Sequence, residues 1–259
     1  MINIVTINYN NKIGLEKTLK SIQNAIEDAE IRYYIVDGGS TDGSLDLVEK
    51  YKNIIYTYIS EKDNGIYNAM NKAIDLVDIG MVIFLNSGDV FSDDFKVKDL
   101  IHWIEHRGIC PDEYMIYSDH FVALNNLKII KKSDDVLHPE GSLPSHQAVL
   151  LPISFLKNNK FNERLNISAD SYLLRTAIEE LKCVKYEIPI CVFSLGGVSN
   201  NWPSYSKFLQ HAREYTYCNR VKKHRKVAYY IKGSIKYILL KTVGFERYYT
   251  LVMRFKGEL

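Results

Sequence analysis

Arg32 to Tyr51 reads RYYIVDGGSTDGSLDLVEKY, and the reading of this stretch decides the fold. Its opening is aromatic and β-branched, the composition of a buried strand, and the run ends on Asp37. The next seven residues hold three glycines, two serines, a threonine and a second acid, Asp42, and lead into the helical pattern GSLDLVEKY. Small side chains at that density let a ligand come close to the backbone, as a base or ribose requires. The stretch is neither GxGxxG nor GxxxxGKS/T, so a dinucleotide fingerprint and a P-loop are excluded. Asp42, just before the helix, is the better N-cap, which leaves Asp37 for a ligand.

The same unit of strand, polar turn and helix repeats on either side. INIVTIN, IIYTYIS and GMVIFLN read as further buried strands, and GLEKTLKSIQNAIEDA and GIYNAMNKAIDLV as helices. In the last of these, Ile66, Ala69, Met70, Ala73, Ile74 and Val77 fall on one helical stripe. Strands alternating with helices imply an α/β fold with a mostly parallel central sheet flanked by helices, and ligands in such sheets bind beyond the carboxyl ends of the strands. Those positions hold Thr6, Asn8 and Tyr9, then Asp37, then Glu61 and Asp63, then Asp89. Four consecutive strands thus bring polar residues to one edge.

Two of these edges carry more detail. In EKDNGIYNAM, Glu61 and Asp63 stand at a helix N-terminus, which favours acids. Asn64-Gly65 supplies a turn that brings main-chain amides toward a ligand, and Lys62 is placed for a phosphate or for solvent. In VIFLNSGDVF an apolar run stops at Asn86-Ser87-Gly88 and presents the single carboxylate of Asp89. An acid there suits a divalent cation with a diphosphate beside it, because Mg²⁺ takes one or two protein carboxylates and completes its shell with phosphate oxygens and water.

The second half changes character. EYMIYSDHFVAL and LKIIKKSD resemble a hairpin around Asn125-Asn126, SADSYLLRTAIEEL is helical with Leu173, Leu174 and Ala177 on its buried stripe, and CVKYEIPICVFSL reads as a strand. From Trp202 the pattern is helical, interrupted only at Gly233. The chain of 259 residues, 46% hydrophobic, excludes disorder, and its four scattered cysteines suggest neither disulfides nor a zinc site. Net charge is only +2, but residues 211–259 carry 12 Lys/Arg against 3 Asp/Glu, about +9 for the tail and −7 for the body. With seven tyrosines between 215 and 249, that tail reads either as a helix lying on an anionic membrane or as a helical hairpin with a solvated basic face; charge asymmetry favours the membrane. No apolar stretch reaches the roughly 20 residues that span a bilayer.

The motifs IVTINYN, YIVDGGSTDGS, SEKDNGIYNAMNKAI, FLNSGD, PSHQAVLLP, ISADSYLLR and FSLGGVSN, in this order over about residues 1–200, resemble glycosyltransferase family 2. The resemblance implies the GT-A fold, Rossmann-like, over residues 1–203, with a nucleotide-sugar-binding half at 1–92 and an acceptor and catalytic half at 93–203, followed by a basic helical extension at 204–259. It implies inverting transfer of a sugar from a nucleotide-sugar, most often a UDP-sugar, to a hydroxyl. Thr6, Asn8, Tyr9, Asp37, Glu61, Lys62, Asp63, Gly65, Asn86 and Ser87 match donor-side positions, with Asp37 expected on the base. Asp89 matches the last acid of the family's DxD motif and would carry Mn²⁺ or Mg²⁺; the earlier acid is replaced by Asn86 or Ser87. Asp170 matches the general base. His146, Gln147, Arg175 and Trp202 are the acceptor- or donor-loop candidates.

The implied setting is the synthesis of capsule, O-antigen or colanic-acid-type polysaccharide. The acceptor would be an oligosaccharide on a polyprenyl diphosphate, and the enzyme would sit in the cytoplasm, peripheral to the inner face of the membrane. Two rivals are weighed against this. The incomplete DxD favours a nucleotide-binding module without catalysis, and the basic tail favours RNA, against which the chain has neither an RNP-like nor a KH-like motif.

Overall fold

The structure, a computed structural model, describes residues 1–27, 29–124, 127–133, 136, 143–194 and 202–255. Strands β1 (Ile2–Asn8), β2 (Ile31–Asp37), β3 (Thr57–Ser60) and β4 (Met81–Phe84) alternate with helices α1 (Lys12–Ile26), α2 (Ser44–Lys50) and α3 (Ile66–Leu76). β1 is buried along its whole length and β4 on both faces, which is why they read as continuous apolar runs without alternation. Helix α1 starts where Asn11 Oδ1 accepts from the amide of Gly14, and it buries Leu15, Leu19, Ile22 and Ile26. Asp42 accepts from the amide and hydroxyl of Ser44, the first residue of α2, and also from the amide of Lys12, so it ties two helix starts together.

The chain continues through β5 (Val90–Phe91), α4 (Val97–His106), β6 (Tyr114–Ser118), β7 (His120–Leu124), β8 (Leu127–Lys131), a 3₁₀ turn at His146–Ala148, and β9 (Val149–Pro152). Then come α5 (Ile153–Asn158), α6 (Ala169–Glu180), β10 (Lys182–Tyr186) and β11 (Cys191–Ser194). The main sheet has the order β10-β6-β9-β4-β1-β2-β3 and is parallel except for β9, antiparallel to both its neighbours. A small sheet, β5-β11-β7-β8, stands beside it. The expected hairpin is present as β7 paired antiparallel with β8; its turn, Asn125-Asn126, lies outside the described residues.

Three expectations are corrected. The run CVKYEIPICVFSL is two strands in two sheets, because Pro189 has no N–H to donate to a ladder, and its carbonyl instead accepts from Ser92 Oγ. Gly233 does not interrupt the tail, which folds as α7 (Tyr205–Cys218), α8 (Lys223–Val243) and α9 (Phe245–Phe255). The hydrogen atoms of Gly233 face the Phe208 ring of α7: a Cβ there would stand 2.4 Å from Phe208 Cε2, so the glycine permits close packing of the two helices. Of the apolar stripe expected on α3, Ile66 is exposed, while Tyr67 turns inward and stacks on Phe161 with ring centroids 5.7 Å apart.

The tail is not draped freely on the rest of the chain. Trp202, Phe208, Ala212 and Leu240 form its core, with Tyr229, Tyr230, Tyr237, Tyr248 and Tyr249 packed around them. Met253 of α9 reaches the hairpin at Leu124 and Ile129. These five tyrosines therefore serve helix packing, whereas Tyr217 stays exposed, and α8 leaves Val227, Ile231, Ile235 and Ile238 on the surface.

Candidate active site

The ends of β1, β2, β3 and β4 meet in one hydrogen-bond network. Register places Asn8 beside Asp37 and Asp37 beside Ser60. Asn8 Nδ2 donates to Asp37 Oδ1 at 2.8 Å, and Asn8 Oδ1 accepts from Ser87 Oγ at 2.7 Å. Asp37 also accepts from Ser60 Oγ at 2.7 Å, from Ser40 Oγ and N, and from the amide of Gly39. Burial pushes this carboxyl up, and the hydrogen bonds from Ser40, Asn8 and Ser60 outweigh it and hold the group below its ordinary value. The side chain is 1% exposed and both oxygens are engaged, so in this structure Asp37 organises the glycine-serine loop.

Over that loop lie Asp63 and Tyr9. A Cβ on Gly38 would sit 2.4 Å from Asp63 Oδ2 and 3.1 Å from the Tyr9 ring, so these side chains from two other strand ends close on Gly38. Asp63 Oδ1 accepts from the amide of Gly65, the N-cap of α3. Glu61 is paired with Lys72 at 2.6 Å, and the Lys62 carbonyl accepts from the same ammonium while the Lys62 side chain is exposed. Thr6 departs from expectation: it is fully buried, donates to the Leu85 carbonyl at 2.8 Å and accepts from Tyr33 Oη at 3.0 Å, so its hydroxyl is used inside the core.

Two carboxylates lie farther along the same edge, each held by one of two adjacent residues. Asp89 is 7% exposed and accepts at Oδ2 from Gln147 Nε2 at 2.9 Å. Burial raises its carboxyl to about 6, against the Gln147 hydrogen bond and the nearby His146, which act to lower it. His146 Nδ1 stands 3.2 Å from Asp170 Oδ2, and Asn86 Nδ2 is 3.2 Å from His146 Nε2. The Asn86 amide and the Asp170 carboxylate thus stand one at each ring nitrogen of the imidazole. Asp170 Oδ1 accepts from the amide of Ser171, and Tyr67 Oη approaches it at 3.4 Å. Asn86, His146 and Asp170 thus make a chain from the end of β4 to the first turn of α6.

Glu214, not marked by the sequence motifs, underpins that turn. From α7 its Oε2 accepts from the amides of Asn166, Ile167 and Ser168 at 2.8–3.3 Å, immediately before α6. Ser168 is the N-cap residue but makes no side-chain cap, so the acid of α7 does that work from 46 residues away.

Residues 3–145, more than half of the chain, match the family described as Glycosyl transferase family 2. This chain is a family 2 glycosyltransferase.

Relatives of the family agree with the assignment. The uncharacterized glycosyltransferase Rv1514c of Mycobacterium tuberculosis is 26% identical over 208 residues, 77% of each chain. The putative teichuronic acid biosynthesis glycosyltransferase TuaG of Bacillus subtilis is 30% identical over 121 residues, 46% of this chain and 47% of its own. In fold the chain is similar to S. aureus TarS 1–349, solved with UDP, at TM-score 0.62 and 16% identity over 90% of this chain and 70% of that one. It is also similar to the mannosyltransferase PcManGT of Pyrobaculum calidifontis, solved with GDP-Man and Mn²⁺, at TM-score 0.58 and 14% identity over 90% and 73%. The α/β architecture of this glycosyltransferase, with its mostly parallel sheet and C-terminal helices, is therefore GT-A-like.

Two loop candidates are engaged by the helical tail. Trp202 is 4% exposed and packs on Phe208 and His211 as core of the helical tail, so it offers no open platform for a sugar ring. Arg175 bonds Asn219 at the end of α7. The glycines of LGGVSNN, residues 195–201, lie outside the described residues.

Proposed function

We propose that this glycosyltransferase moves a sugar, with inversion, from a UDP-sugar to a hydroxyl of a lipid-linked acceptor in cell-surface polysaccharide synthesis. The observation that carries the reading is the pair His146–Gln147. One short turn delivers an imidazole to Asp170 and an amide to Asp89, which sets a candidate base and a buried acid on one sheet edge. In the transfer, Asp170 takes the proton of the acceptor hydroxyl as its oxygen bonds the anomeric carbon and the bond to the nucleoside diphosphate breaks. His146 orients that carboxylate. The loop held by Asp37, with Asp63 and Tyr9 over Gly38, encloses the nucleotide.

The residues fit a divalent cation. Among the described residues no cluster of three His, Cys, Asp or Glu is assembled, but Asp89 is a buried acid whose charge burial opposes, and Mg²⁺ or Mn²⁺ needs few protein carboxylates where a diphosphate supplies oxygens. Asp89 would hold it, and the ion when bound supplies charge neutralisation for the leaving diphosphate.

Support for the acceptor side comes from the tail. Val227, Ile231, Ile235 and Ile238 are each more than half exposed and share one face of α8, flanked by Lys223, Lys232 and Lys241. Such a face suits the anionic inner surface of a cytoplasmic membrane. Among the described residues no helix is long and apolar enough to cross one. TuaG is named for teichuronic acid biosynthesis, which also favours a surface polymer.

The test is a thermal-shift screen of UDP-, GDP-, dTDP- and CMP-sugars with Mn²⁺, then an assay of nucleotide release. UDP-sugars are expected to stabilise and to release UDP; stabilisation by GDP-sugars alone would sink the donor assignment. The single acid in NSGD favours a second reading, a nucleotide-binding module without turnover, and stabilisation with no release from any donor would select it.

A further inference from the structure

Next to Asp170 a cavity of about 470 Å³ opens between the β7–β8 hairpin, the 3₁₀ turn and helices α8 and α9. His120, His146, Lys236 and Tyr249 line it together with Asp170. A second cavity, of about 600 Å³, adjoins Asp170 from the other side and shares Lys236, with His211 in its wall. Lys236 is thus the cation common to both spaces beside the candidate base.

Four groups around the two cavities have unspent hydrogen-bonding capacity. The ammonium of Lys236 lies 4.9 Å from the centroid of the Trp202 ring and 5.2 Å from that of Tyr249, and no carboxylate is within 4.0 Å among the described residues. Aromatic faces hold a cation in place without neutralising it. Among the described residues, His120 Nδ1 and Tyr249 Oη are shielded from solvent and have no partner, and His211 Nδ1 in the second cavity has none. Each orphaned buried polar atom costs about 1–3 kcal/mol, and two of the residues that carry one, His120 and Tyr249, belong to the wall of the same cavity as Lys236. Burial holds the Lys236 ammonium below its usual value and takes the His120 imidazolium down to about 4, so His120 enters as a neutral imidazole.

We propose that this cavity recognises a phosphate group of the acceptor, with Lys236 as its cation and His120 and Tyr249 as hydrogen-bond donors. The inference rests on the glycosyl-transfer reading and names the acceptor's chemistry. It places the phosphate on the acceptor because Lys236 shares both spaces with Asp170, the candidate base that faces the acceptor hydroxyl. An ammonium with two neutral donors matches the several oxygens of a phosphate.

Two sources share this chemistry, a lipid diphosphate and the phosphate of a polyol polymer. Calorimetry with geranyl diphosphate and, separately, with glycerol phosphate identifies which is bound, on the full chain without any sugar nucleotide. Lys236→Met is expected to weaken the probe that binds about 10- to 100-fold, the worth of a charge-assisted hydrogen bond, with Lys236→Arg restoring most of it. Tyr249→Phe, which removes one oxygen and leaves the ring under the ammonium, is expected to weaken it several-fold with no loss of melting temperature. UDP affinity, measured in parallel, is expected to be the same in Lys236→Met as in the parent. If Lys236→Met weakens UDP as much as the phosphate probes, the cation belongs to the donor and the proposal fails. It fails also if neither probe binds, or if both bind independently of Lys236. Lys236-dependent binding of a probe by a chain that releases no nucleotide from any sugar donor would uphold the pocket while overturning the transfer reading.

Discussion

Asp170 and Asp89 are both acids at the end of one sheet, and their surroundings set them apart. Asp170 is held by imidazole and main-chain donors at the mouth of a cavity, whereas Asp89 is enclosed. Asp170→Asn is therefore expected to lower kcat by about 10²- to 10⁴-fold, the usual worth of a general base, with UDP affinity within about twofold of the parent by calorimetry. Transfer at the parental rate would remove Asp170 from the base role. Asp89 carries a stability consequence with a definite sign. Its carboxyl titrates near 3.8 when unfolded and at about 6 when folded, so the folded state binds the proton more tightly. The charged form opposes folding, by nothing below about pH 4, increasingly up to pH 6, and fully above it, with a ceiling of about 3 kcal/mol. Asp89→Asn should thus raise the melting temperature at pH 7.5 in chelator while abolishing turnover, and the gain should shrink at pH 4.5. A melting temperature that falls at pH 7.5 would show that the site tolerates the charge without cost.

At the scale of elements, the question is what aims Asp170. Glu214 accepts from three consecutive amides before α6, from a helix in the tail. Glu214→Ala leaves those donors unanswered, which should cost about 1–3 kcal/mol of stability and lower kcat about tenfold at a temperature where the protein remains folded, with donor KM unchanged. Glu214→Gln, which keeps an acceptor oxygen, should recover most of the rate; loss of stability alone would make Glu214 merely structural. The close crossing of α7 and α8 gives a second test. Gly233→Ala puts a methyl into the Phe208 ring and should lower stability by about 1–3 kcal/mol in denaturant melts, although alanine is the better helix former. These contacts mark where the sequence stops being legible. The strands and their polar ends were readable because β1 and β4 are buried on both faces and each run stops at a polar residue. Asp170 and His146 came from motif resemblance. Glu214 was not legible, since a glutamate in a basic helix gives no local sign that it caps a turn 46 residues earlier. Thr6 was expected at the donor and Trp202 was open between a sugar platform and the core, for a related reason: composition identifies a hydroxyl or an indole, but only packing decides whether it faces a ligand or the core.

For the whole molecule, the uneven charge gains a geometry. The tail carries about +9 and the body about −7, and the structure packs Tyr229, Tyr230, Tyr237, Tyr248 and Tyr249 around the tail core, leaving an aliphatic stripe on α8 between lysines. Other faces of α7, α8 and α9 form the packed tail core, place Lys236 beside the cavity, and brace the turn before Asp170. A membrane held against the stripe would therefore lie across α8 from Lys236 and the cavity it lines. Each lysine near an anionic surface adds about 1 kcal/mol, a term that salt screens, whereas insertion of the aliphatic residues is much less salt-sensitive. Vesicles of phosphatidylglycerol and phosphatidylcholine should carry the full chain to the top of a flotation gradient at low salt and less so at 0.5 M. The double variant Ile231→Asp with Ile235→Asp, both on exposed positions and so expected to fold, should stay at the bottom under either condition. Equal flotation of variant and parent would show that the stripe does not enter the lipid, and equal flotation on pure phosphatidylcholine would show that the basic flanks do not select anionic headgroups.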